Sequence, residues 1–263
     1  PAHTRPMFCR KPTVVTVHDL GYLHFPSMHP LAQRTYLHWS TLHSARNATQ
    51  LIADSDATRK DLIDYYNTDP ERISVIYPGF DPTPYTGNQN LQSLPDLPET
   101  YLLHVGTLQP RKGISFLLES LNALRHPPAR PALVCAGRAG WMIEPIMRQI
   151  KDLELGSRVR FLNYVPREQM PALYRQASML VVPSLYEGFG FTPLESMAAA
   201  TPVICSEAGS LPEVVGNAAL TVPPGDSAAL TDAIRHLLDE SDLRQQLVAT
   251  GLQRCQEFPW QRC

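Results

Sequence analysis

The amino-acid sequence predicts an α/β fold with two domains, each built on a parallel sheet. Two observations support this. Short apolar runs alternate with segments of helical period along most of the chain, and one stretch rich in proline and asparagine, Asp81 to Thr100, interrupts the alternation. Strand–helix–strand alternation gives parallel strands joined by crossover helices. A chain of 263 residues with 43% hydrophobic content is long enough for two modest cores.

The first domain is predicted to occupy residues 1–85. Its strands are the runs Pro12 to Val17, Leu51 to Ser55 and Ile73 to Ile76, and its helices cover Leu31 to Arg46 and Asp56 to Tyr66. The first strand ends in His18-Asp19. Ligands of open α/β sheets bind beyond the carboxyl ends of the strands. His18 therefore either faces a cleft or only caps the strand, with Asp19 as its partner.

Residues 86–99 are the predicted linker, and residues 100–245 form the predicted second domain. Its strands are Tyr101 to Val105, Pro131 to Gly137, Val159 to Leu162, Ala177 to Val182, Pro202 to Ser206 and a short edge strand, Leu220 to Val222. The helical stripes begin near Ile114, Met170, Pro193, Ala228 and Leu243. Residues 246–263 would complete the last helix and extend beyond it.

The stretch from Pro183 to Ile204 carries the densest set of candidate functional residues. A buried strand leads into a glycine turn and then a helix from about Pro193 to Ala200, which is the layout that presents backbone N–H groups to an anion. Glu187 precedes the glycines and gains nothing from packing there. Glu195 lies near the helix start, where it is either a ligand or the capping acid of a capping box with Thr192.

A basic turn follows the first strand of the second domain. Arg111 and Lys112 come directly before a helix, after Gly106 has ended the strand. Adjacent cations at such a turn suit a diphosphate, because arginine supplies a planar fork and lysine a point charge; a solvated basic turn is the alternative. Arg138 follows another strand and either reaches a phosphate or nucleobase or is a surface arginine.

Bulk properties exclude several classes of function. A net charge of −2 and a pI near 6.6 give no basis for nucleic acid binding. The five cysteines contain no CxxC pair, which indicates a reducing compartment such as the cytoplasm. The histidines at 29, 38 and 43 lack metal-site spacing, so we expect no metal site there. We also expect no cofactor. The sequence has no apolar run of transmembrane length.

Four segments together resemble the retaining GT-B glycosyltransferases of family 4, also described as glycosyl transferases group 1. These segments are EGFGFTPLE, GTLQPRKG, VHDL and SLPEVVGNAALTVPPGD, and the likeness extends from about Val14 to Trp260. It implies two Rossmann-like domains facing each other across a cleft. It also implies that residues 246–263, which end in FPWQRC, begin the segment that crosses back toward the first domain. The family's N-terminal glycine-rich loop has no counterpart, and no methionine precedes Pro1. We therefore expect an incomplete first domain in an N-terminally truncated chain.

The resemblance also assigns roles to residues. It implies that Glu187, His18 and Lys112 are catalytic, with Glu187 holding hydroxyls of the donor sugar and not acting as a nucleophile. It implies that Glu195 binds the ribose. The full set of implied donor-binding residues is Gly106, Arg111, Lys112, Arg138, Tyr164, Glu187, Gly188, Phe189, Gly190, Thr192, Leu194 and Glu195.

The resemblance is strongest to bacterial mannosyltransferases, so it implies transfer of mannose from GDP-mannose, without a metal, to a glycan or lipid-linked acceptor. UDP-glucose is an alternative donor. A peripheral contact with the inner face of the membrane is also left open. Two residues depart from the family pattern: Ala200 replaces a usual glycine and would tighten helix packing, and Thr107 replaces a common arginine whose phosphate contact Arg111 would supply. The alternatives are a non-catalytic nucleotide-sugar-binding fragment and a GT-B epimerase.

Overall fold

The computed structural model describes residues 4–86, 97–125, 130–140 and 143–263. Within these ranges nine strands run in chain order: β1 Val14–Val17, β2 Gln50–Ala53, β3 Ile73–Val75, β4 Tyr101–Val105, β5 Ala132–Ala136, β6 Val159–Asn163, β7 Met179–Val182, β8 Val203–Ser206 and β9 Leu220–Val222. Ten α-helices of the described residues join them: α1 Gly21–His24, α2 Leu31–Asn47, α3 Asp56–Tyr66, α4 Ile114–Ala123, α5 Glu144–Asp152, α6 Met170–Gln176, α7 Phe191–Ala198, α8 Leu211–Val215, α9 Ser227–Asp239 and α10 Ser241–Arg254.

The first sheet has three parallel strands in the order β1-β2-β3. Its register places Val17, the last residue of β1, opposite Ala53, the last residue of β2. The residues that follow these two strands, at 18 and 54, therefore leave the sheet at the same edge. One face of the sheet packs on α2 and α3 around a small core that includes Leu51 and Leu62, which are both inaccessible to solvent.

The second sheet has six parallel strands in the order β6-β5-β4-β7-β8-β9. Numbered within the domain, this is the 3-2-1-4-5-6 order of a doubly wound sheet. Separate apolar cores cover its two faces. The chain reverses direction across the sheet between β4 and β7, and ligands of such sheets bind in the crevice beyond the carboxyl ends of the two strands at that switch point. The loops after β4 and β7 are therefore where a ligand site is expected.

Two parallel sheets with crossover helices confirm the predicted α/β fold class, and β9 is an edge strand as expected. Most predicted elements agree with the structure to within two or three residues. Three helices were missed, α1, α5 and α8. Most of the predicted linker at 86–99 lies outside the described residues, so that boundary stays a prediction.

The interpretation of Thr192 and Glu195 as a capping box, one of the two alternatives for Glu195, is wrong. The helix begins at Phe191, with Gly190 at the N-cap in a left-handed conformation (φ 99°) and no side-chain cap. Thr192 is thus inside the first turn, and Glu195 does not cap the helix. The glycine can adopt a positive φ without steric cost, so the helix starts directly after the turn.

The expectation that Ala200 tightens helix packing is also wrong. α7 ends at Ala198, and Ala200 lies beyond it with a φ of 58°. That is the left-handed region, in which an L-residue with a Cβ is disfavoured. The alanine therefore occupies a position whose backbone favours glycine.

Candidate active site

The loops that follow β4 and β7 meet at the switch point of the second sheet. The N–H of Leu185 donates to the carbonyl of Arg111 at 2.8 Å. Gly113 has a φ of 69°, and a Cβ placed on it would lie 1.9 Å from the carbonyl oxygen of Pro183. Only glycine permits this approach. The close contact of the two backbones places the basic turn beside the loop that carries Glu187.

Glu187 is the centre of a buried ionic group. Its Oε1 accepts hydrogen bonds from Nζ of Lys112 and from the hydroxyl of Ser184, both at 2.6 Å. Nη1 of Arg111 lies 3.5 Å from Oε2. Burial pushes the pKa of the Glu187 carboxyl upward, but the charges of Lys112 and Arg111 and the hydrogen bonds from Lys112 and Ser184 outweigh it, so the pKa is lowered. Glu187 is therefore an anion.

Arg111 is held by the backbone of the same loop. Its Nη1 donates to the carbonyl of Tyr186 at 2.5 Å. The side chains of Arg111 and Lys112 are each 17% exposed, so both remain partly accessible from the crevice. Two cations face one carboxylate, and the group has a net positive charge that suits a diphosphate.

Glu195 lies on α7 at the wall of a cavity of about 530 Å³. Its Oε2 accepts from the hydroxyl of Tyr174 at 2.6 Å. Burial and the negative charge of Glu195 raise the pKa of Tyr174 well above its ordinary value, so the phenol stays protonated and donates. Thr192, Tyr164 and Phe191 line the same cavity. A carboxylate fixed in an aromatic-lined cavity of this size suits the ribose and base of a nucleotide.

A second cavity, of about 320 Å³, adjoins the first at the ends of β4, β5 and β6. Gly106, Arg138 and Tyr164 line it, and so does Thr107. The guanidinium carbon of Arg138 lies 5.5 Å from the centroid of the Tyr164 ring, and the Tyr164 side chain is 65% exposed. Gly106, Arg138 and Tyr164 are thus brought together beside the Glu195 cavity.

The remaining candidate donor-binding residues lie on the turn and in α7. The side chains of Phe189 and Leu194 are buried in the apolar core, so these two residues could reach a donor only through their backbones. A Cβ on Gly188 would lie 2.6 Å from both the carbonyl oxygen of His18 and Cβ of Asp19. The glycine turn is therefore packed directly against the end of β1 in the first domain.

His18 lies at the end of β1, and its carbonyl is directly against this turn. Its Nδ1 is 2.5 Å from Oδ2 of Asp54, and since a carboxylate only accepts, Nδ1 carries the proton. Asp19 forms a local turn instead, with its Oδ1 accepting from the N–H of Gly21. The His18 side chain is 48% exposed and lines a third cavity, of about 430 Å³, with Tyr22 and Tyr36 among its other walls.

Sequence reasoning missed three residues that hold the candidate site in place: Asp54, Tyr174 and Ser184. Asp54 had a usable signal, because it follows β2 and β2 neighbours β1 in a parallel sheet. Ser184 is three residues before Glu187 on the same loop. Tyr174 belongs to the apolar stripe that begins near Met170, and its ring lies in the core, but its hydroxyl reaches Glu195.

Within the described residues, no group of three or more histidine, cysteine, aspartate or glutamate side chains is placed to hold a metal ion. In the same part of the chain, no helix has the length and apolar character needed to cross a membrane.

Comparison with known families matches both parts of the chain. The model of Glycosyl transferases group 1 matches residues 88–254, and that of Glycosyltransferase Family 4 matches residues 2–83. An O-antigen chain mannosyltransferase B of Escherichia coli is 34% identical over 257 residues, which are 95% of this chain and 67% of that protein. A D-inositol 3-phosphate glycosyltransferase of Corynebacterium efficiens is 34% identical over 228 residues, 81% of this chain and 54% of that protein.

Solved structures give the same fold. Anabaena HepE in complex with UDP superposes with a TM-score of 0.76 at 23% identity, over 95% of this chain and 69% of that one. The sucrose-phosphate synthase of Thermosynechococcus elongatus gives a TM-score of 0.79 at 27% identity, over 94% and 64%. Neighbours of this kind are GT-B glycosyltransferases, so the fold is GT-B. The chain thus spans between half and about two thirds of the length of these proteins.

Proposed function

The chain belongs to the group 1 glycosyl transferases, and we propose that it binds a nucleotide diphosphate sugar between its two domains and transfers the sugar to a hydroxyl acceptor with retention. The observation that carries this proposal is the buried group of Arg111, Lys112 and Glu187 at the switch point of the second sheet. The next residue after Glu187, Gly188, packs against the carbonyl of His18 in the first domain. The cations suit the diphosphate, and the carboxylate suits the sugar.

Lys112 and Arg111 would bind the diphosphate and stabilise the charge that develops on it as the sugar leaves. Preorganised cations in a partly water-excluded site are worth most at that step. Because Lys112 is bonded to Glu187 at 2.6 Å, an arriving diphosphate competes with this carboxylate for the ammonium. Two protein cations supply the charge stabilisation, which is why we propose a reaction without a metal ion.

Glu187 would bind hydroxyl groups of the donor sugar once Lys112 turns toward the phosphate. Its carboxylate is ionised and already anchored by the Ser184 hydroxyl at 2.6 Å, so it is preorganised to accept hydrogen bonds. Retention would follow from attack on the same face of the sugar that the diphosphate leaves, with a leaving-phosphate oxygen taking the proton of the acceptor. Glu187 is not required as a nucleophile in this scheme.

Glu195 would accept hydrogen bonds from the ribose hydroxyls, with the base in the adjoining aromatic-lined space near Tyr164 and Arg138. Backbone N–H groups at the start of α7 would contact the phosphates, where the helix dipole favours an anion. This places the nucleotide along the carboxyl ends of β4 to β7 and the sugar at the end of β7.

His18 would contact the sugar and the acceptor from the other side of the crevice. The bond from its Nδ1–H to Asp54 fixes the orientation of the ring. The cavity of about 430 Å³ beside it has aromatic and hydroxyl-bearing walls, which suit a sugar ring. We propose that it receives the acceptor, a glycan or a lipid-linked glycan.

The names of the relatives favour mannose. The E. coli protein that is 34% identical is an O-antigen chain mannosyltransferase, and a Salmonella typhimurium protein that is 30% identical is another. GDP-mannose is therefore the first donor to test, with synthesis of a surface polysaccharide on the cytoplasmic side of a membrane as the setting. The relatives that are D-inositol 3-phosphate glycosyltransferases make an inositol phosphate the second acceptor to test.

The test is incubation of the full-length protein with GDP-mannose or UDP-glucose, acceptor and a metal chelator, followed by NMR of the product. The proposal predicts a transferred sugar with the anomeric configuration of the donor. A product of inverted configuration would contradict the retaining mechanism, and a chelator-sensitive reaction would contradict metal independence. Donor binding without turnover would favour a non-catalytic binding protein, and a new epimer of the donor would favour an epimerase.

A further inference from the structure

The side chain of Tyr186 extends into the first domain from the loop between β7 and α7, which carries Glu187 and is called the donor-side loop below. It is 4% exposed, and its hydroxyl donates to Oδ2 of Asp61 on α3 at 2.7 Å. The N–H of Leu20 lies 3.4 Å from the same hydroxyl oxygen and donates to it. The Tyr186 ring stacks on His24, with centroids 4.6 Å apart. The tyrosine is thus held by three residues of the other domain.

The donor side of Tyr186 is equally constrained. Its carbonyl accepts from Nη1 of Arg111 at 2.5 Å, and the next residue, Glu187, accepts from Lys112 at 2.6 Å. Tyr186 is therefore one peptide unit from the carboxylate proposed to hold the sugar, and it contacts a cation proposed to hold the diphosphate. A shift of this residue moves Glu187 with it.

The helix that receives Tyr186 also holds His18. The hydroxyl of Thr58 on α3 donates to the carbonyl of His18 at 3.2 Å, and Asp61 lies one turn further along the same helix. A second bridge anchors the start of α3, where the carboxylate of Glu213 accepts from the N–H groups of Asp56 and Ala57 at 2.8 and 3.0 Å. α3 is thus a common support for His18 and for the donor-side loop.

Packing alone does not account for the hydroxyl of Tyr186. A phenylalanine would fill the same space and stack on His24. It would not bring a hydroxyl group to the carboxylate of Asp61, which is only 8% exposed. The hydroxyl adds a directional bond of defined length between the two domains. Distance and direction are what a transfer between groups on opposite domains requires.

We propose that Tyr186 is a positioning residue, whose hydroxyl bond to Asp61 sets the position of Glu187 relative to His18 across the crevice. This inference rests on the proposed function, because it assumes that Glu187 and His18 act on the two sides of one transfer reaction. It assigns Tyr186 no contact with the donor, so it predicts a separation of donor binding from turnover.

The test compares Tyr186→Phe with Tyr66→Phe in the full-length protein. Tyr66 is also a buried phenol, and its hydroxyl bonds Tyr22 at 2.7 Å and Nδ1 of His38 at 3.1 Å inside the first domain. Its substitution therefore removes bonds of the same kind without touching the contact between domains. For Tyr186→Phe we expect kcat to fall about 10–100-fold while the Kd for donor changes less than about twofold. For Tyr66→Phe we expect both to stay within about twofold.

Asp61→Ala removes the partner of the Tyr186 hydroxyl and also that of His24, whose Nε2 lies 2.9 Å from the same Oδ2, so it should lower kcat at least as much as Tyr186→Phe. The double variant should be no slower than Asp61→Ala, because Tyr186 then has no carboxylate left to bond. An unchanged kcat in Tyr186→Phe, an equal fall in Tyr66→Phe, or a parallel loss of donor affinity would each overturn the proposal.

A readout independent of turnover separates this inference from the proposed function. Hydrogen exchange of the wild type and both variants should show faster exchange at residues 185–190 and at 18–21 in Tyr186→Phe, and no change there in Tyr66→Phe. If the wild type transfers no sugar but this pattern appears, the proposed function fails while the contact between domains stands. Active protein without the pattern would contradict the inference alone.

Discussion

The Lys112–Glu187 pair allows a quantitative prediction about both stability and pH. The Lys112 side chain is 17% exposed and that of Glu187 11%, so this is a buried pair. Removing one partner of a buried pair typically costs about 3–5 kcal/mol. In Lys112→Met, Glu187 keeps Ser184 at 2.6 Å and Arg111 at 3.5 Å, so we expect the free energy of unfolding to fall by about 2 kcal/mol at pH 7.

The pH dependence gives the sign of the effect. In the wild type, burial raises the pKa of Glu187, but Lys112 and the other partners bring it below its ordinary value of 4.5. The group therefore stabilises the fold at pH values above its unfolded pKa, and this contribution is lost as pH falls through the folded pKa. In Lys112→Met the pKa of Glu187 rises, because less positive charge then offsets the effect of burial. The stability difference between wild type and Lys112→Met should therefore be largest near pH 7 and smaller near pH 4.5.

Urea denaturation across this pH range measures the difference, and Lys112→Met/Glu187→Gln is the matched control. The double variant has no carboxylate at position 187. Its free energy of unfolding relative to the wild type should therefore lack the rise toward low pH that we expect of Lys112→Met. The two single variants should also be non-additive by about 1–2 kcal/mol at pH 7. A difference that does not change with pH, or additivity within about 0.5 kcal/mol, would refute the reasoning.

Three further substitutions test local geometry. Gly113→Ala should prevent stable folding, since its Cβ would lie 1.9 Å from a backbone oxygen, whereas Gly156→Ala should be tolerated, because nothing lies within 4 Å of a Cβ there. Thermal unfolding followed by circular dichroism compares the two variants, and similar melting temperatures would contradict the packing described. Ala200→Gly should stabilise the protein by about 1 kcal/mol, because φ is 58°; a destabilised variant in urea unfolding would be inconsistent with that backbone. Glu213→Gln should cost about 1 kcal/mol by weakening the charge at the start of α3, and an unchanged unfolding curve would mean that the carboxylate contributes nothing there.

The sequence predicted the candidate site best where charged residues follow the ends of predicted strands. Lys112 and Glu187 are 75 positions apart, yet each follows a predicted parallel strand, and the ends of such strands meet at one edge. The same rule would have predicted Asp54 as the partner of His18. Helix α5 was missed although Ile146 and Ile150 have helical spacing.

Contacts between the domains could not be predicted from the sequence. The bond from Tyr186 to Asp61 joins residues 125 positions apart, and nothing local to either residue specifies it. α7 begins at Phe191 and not at about Pro193, because Gly190 adopts a left-handed conformation from which the helix starts before the Thr192–Glu195 pattern. The conformational freedom of Gly190, and not the side-chain pattern of Thr192 and Glu195, decides where this helix begins.

Donor binding tests the central claim most directly. Calorimetry should compare GDP-mannose with UDP-glucose on the wild type, on Glu195→Gln, and on Glu119→Gln, a control at an exposed position of α4. The proposed site predicts that one donor binds, that its affinity falls about 10-fold or more in Glu195→Gln through loss of a charged hydrogen bond, and that Glu119→Gln binds like the wild type. Absence of binding by either donor to the full-length protein, or equal affinity in Glu195→Gln, would contradict it.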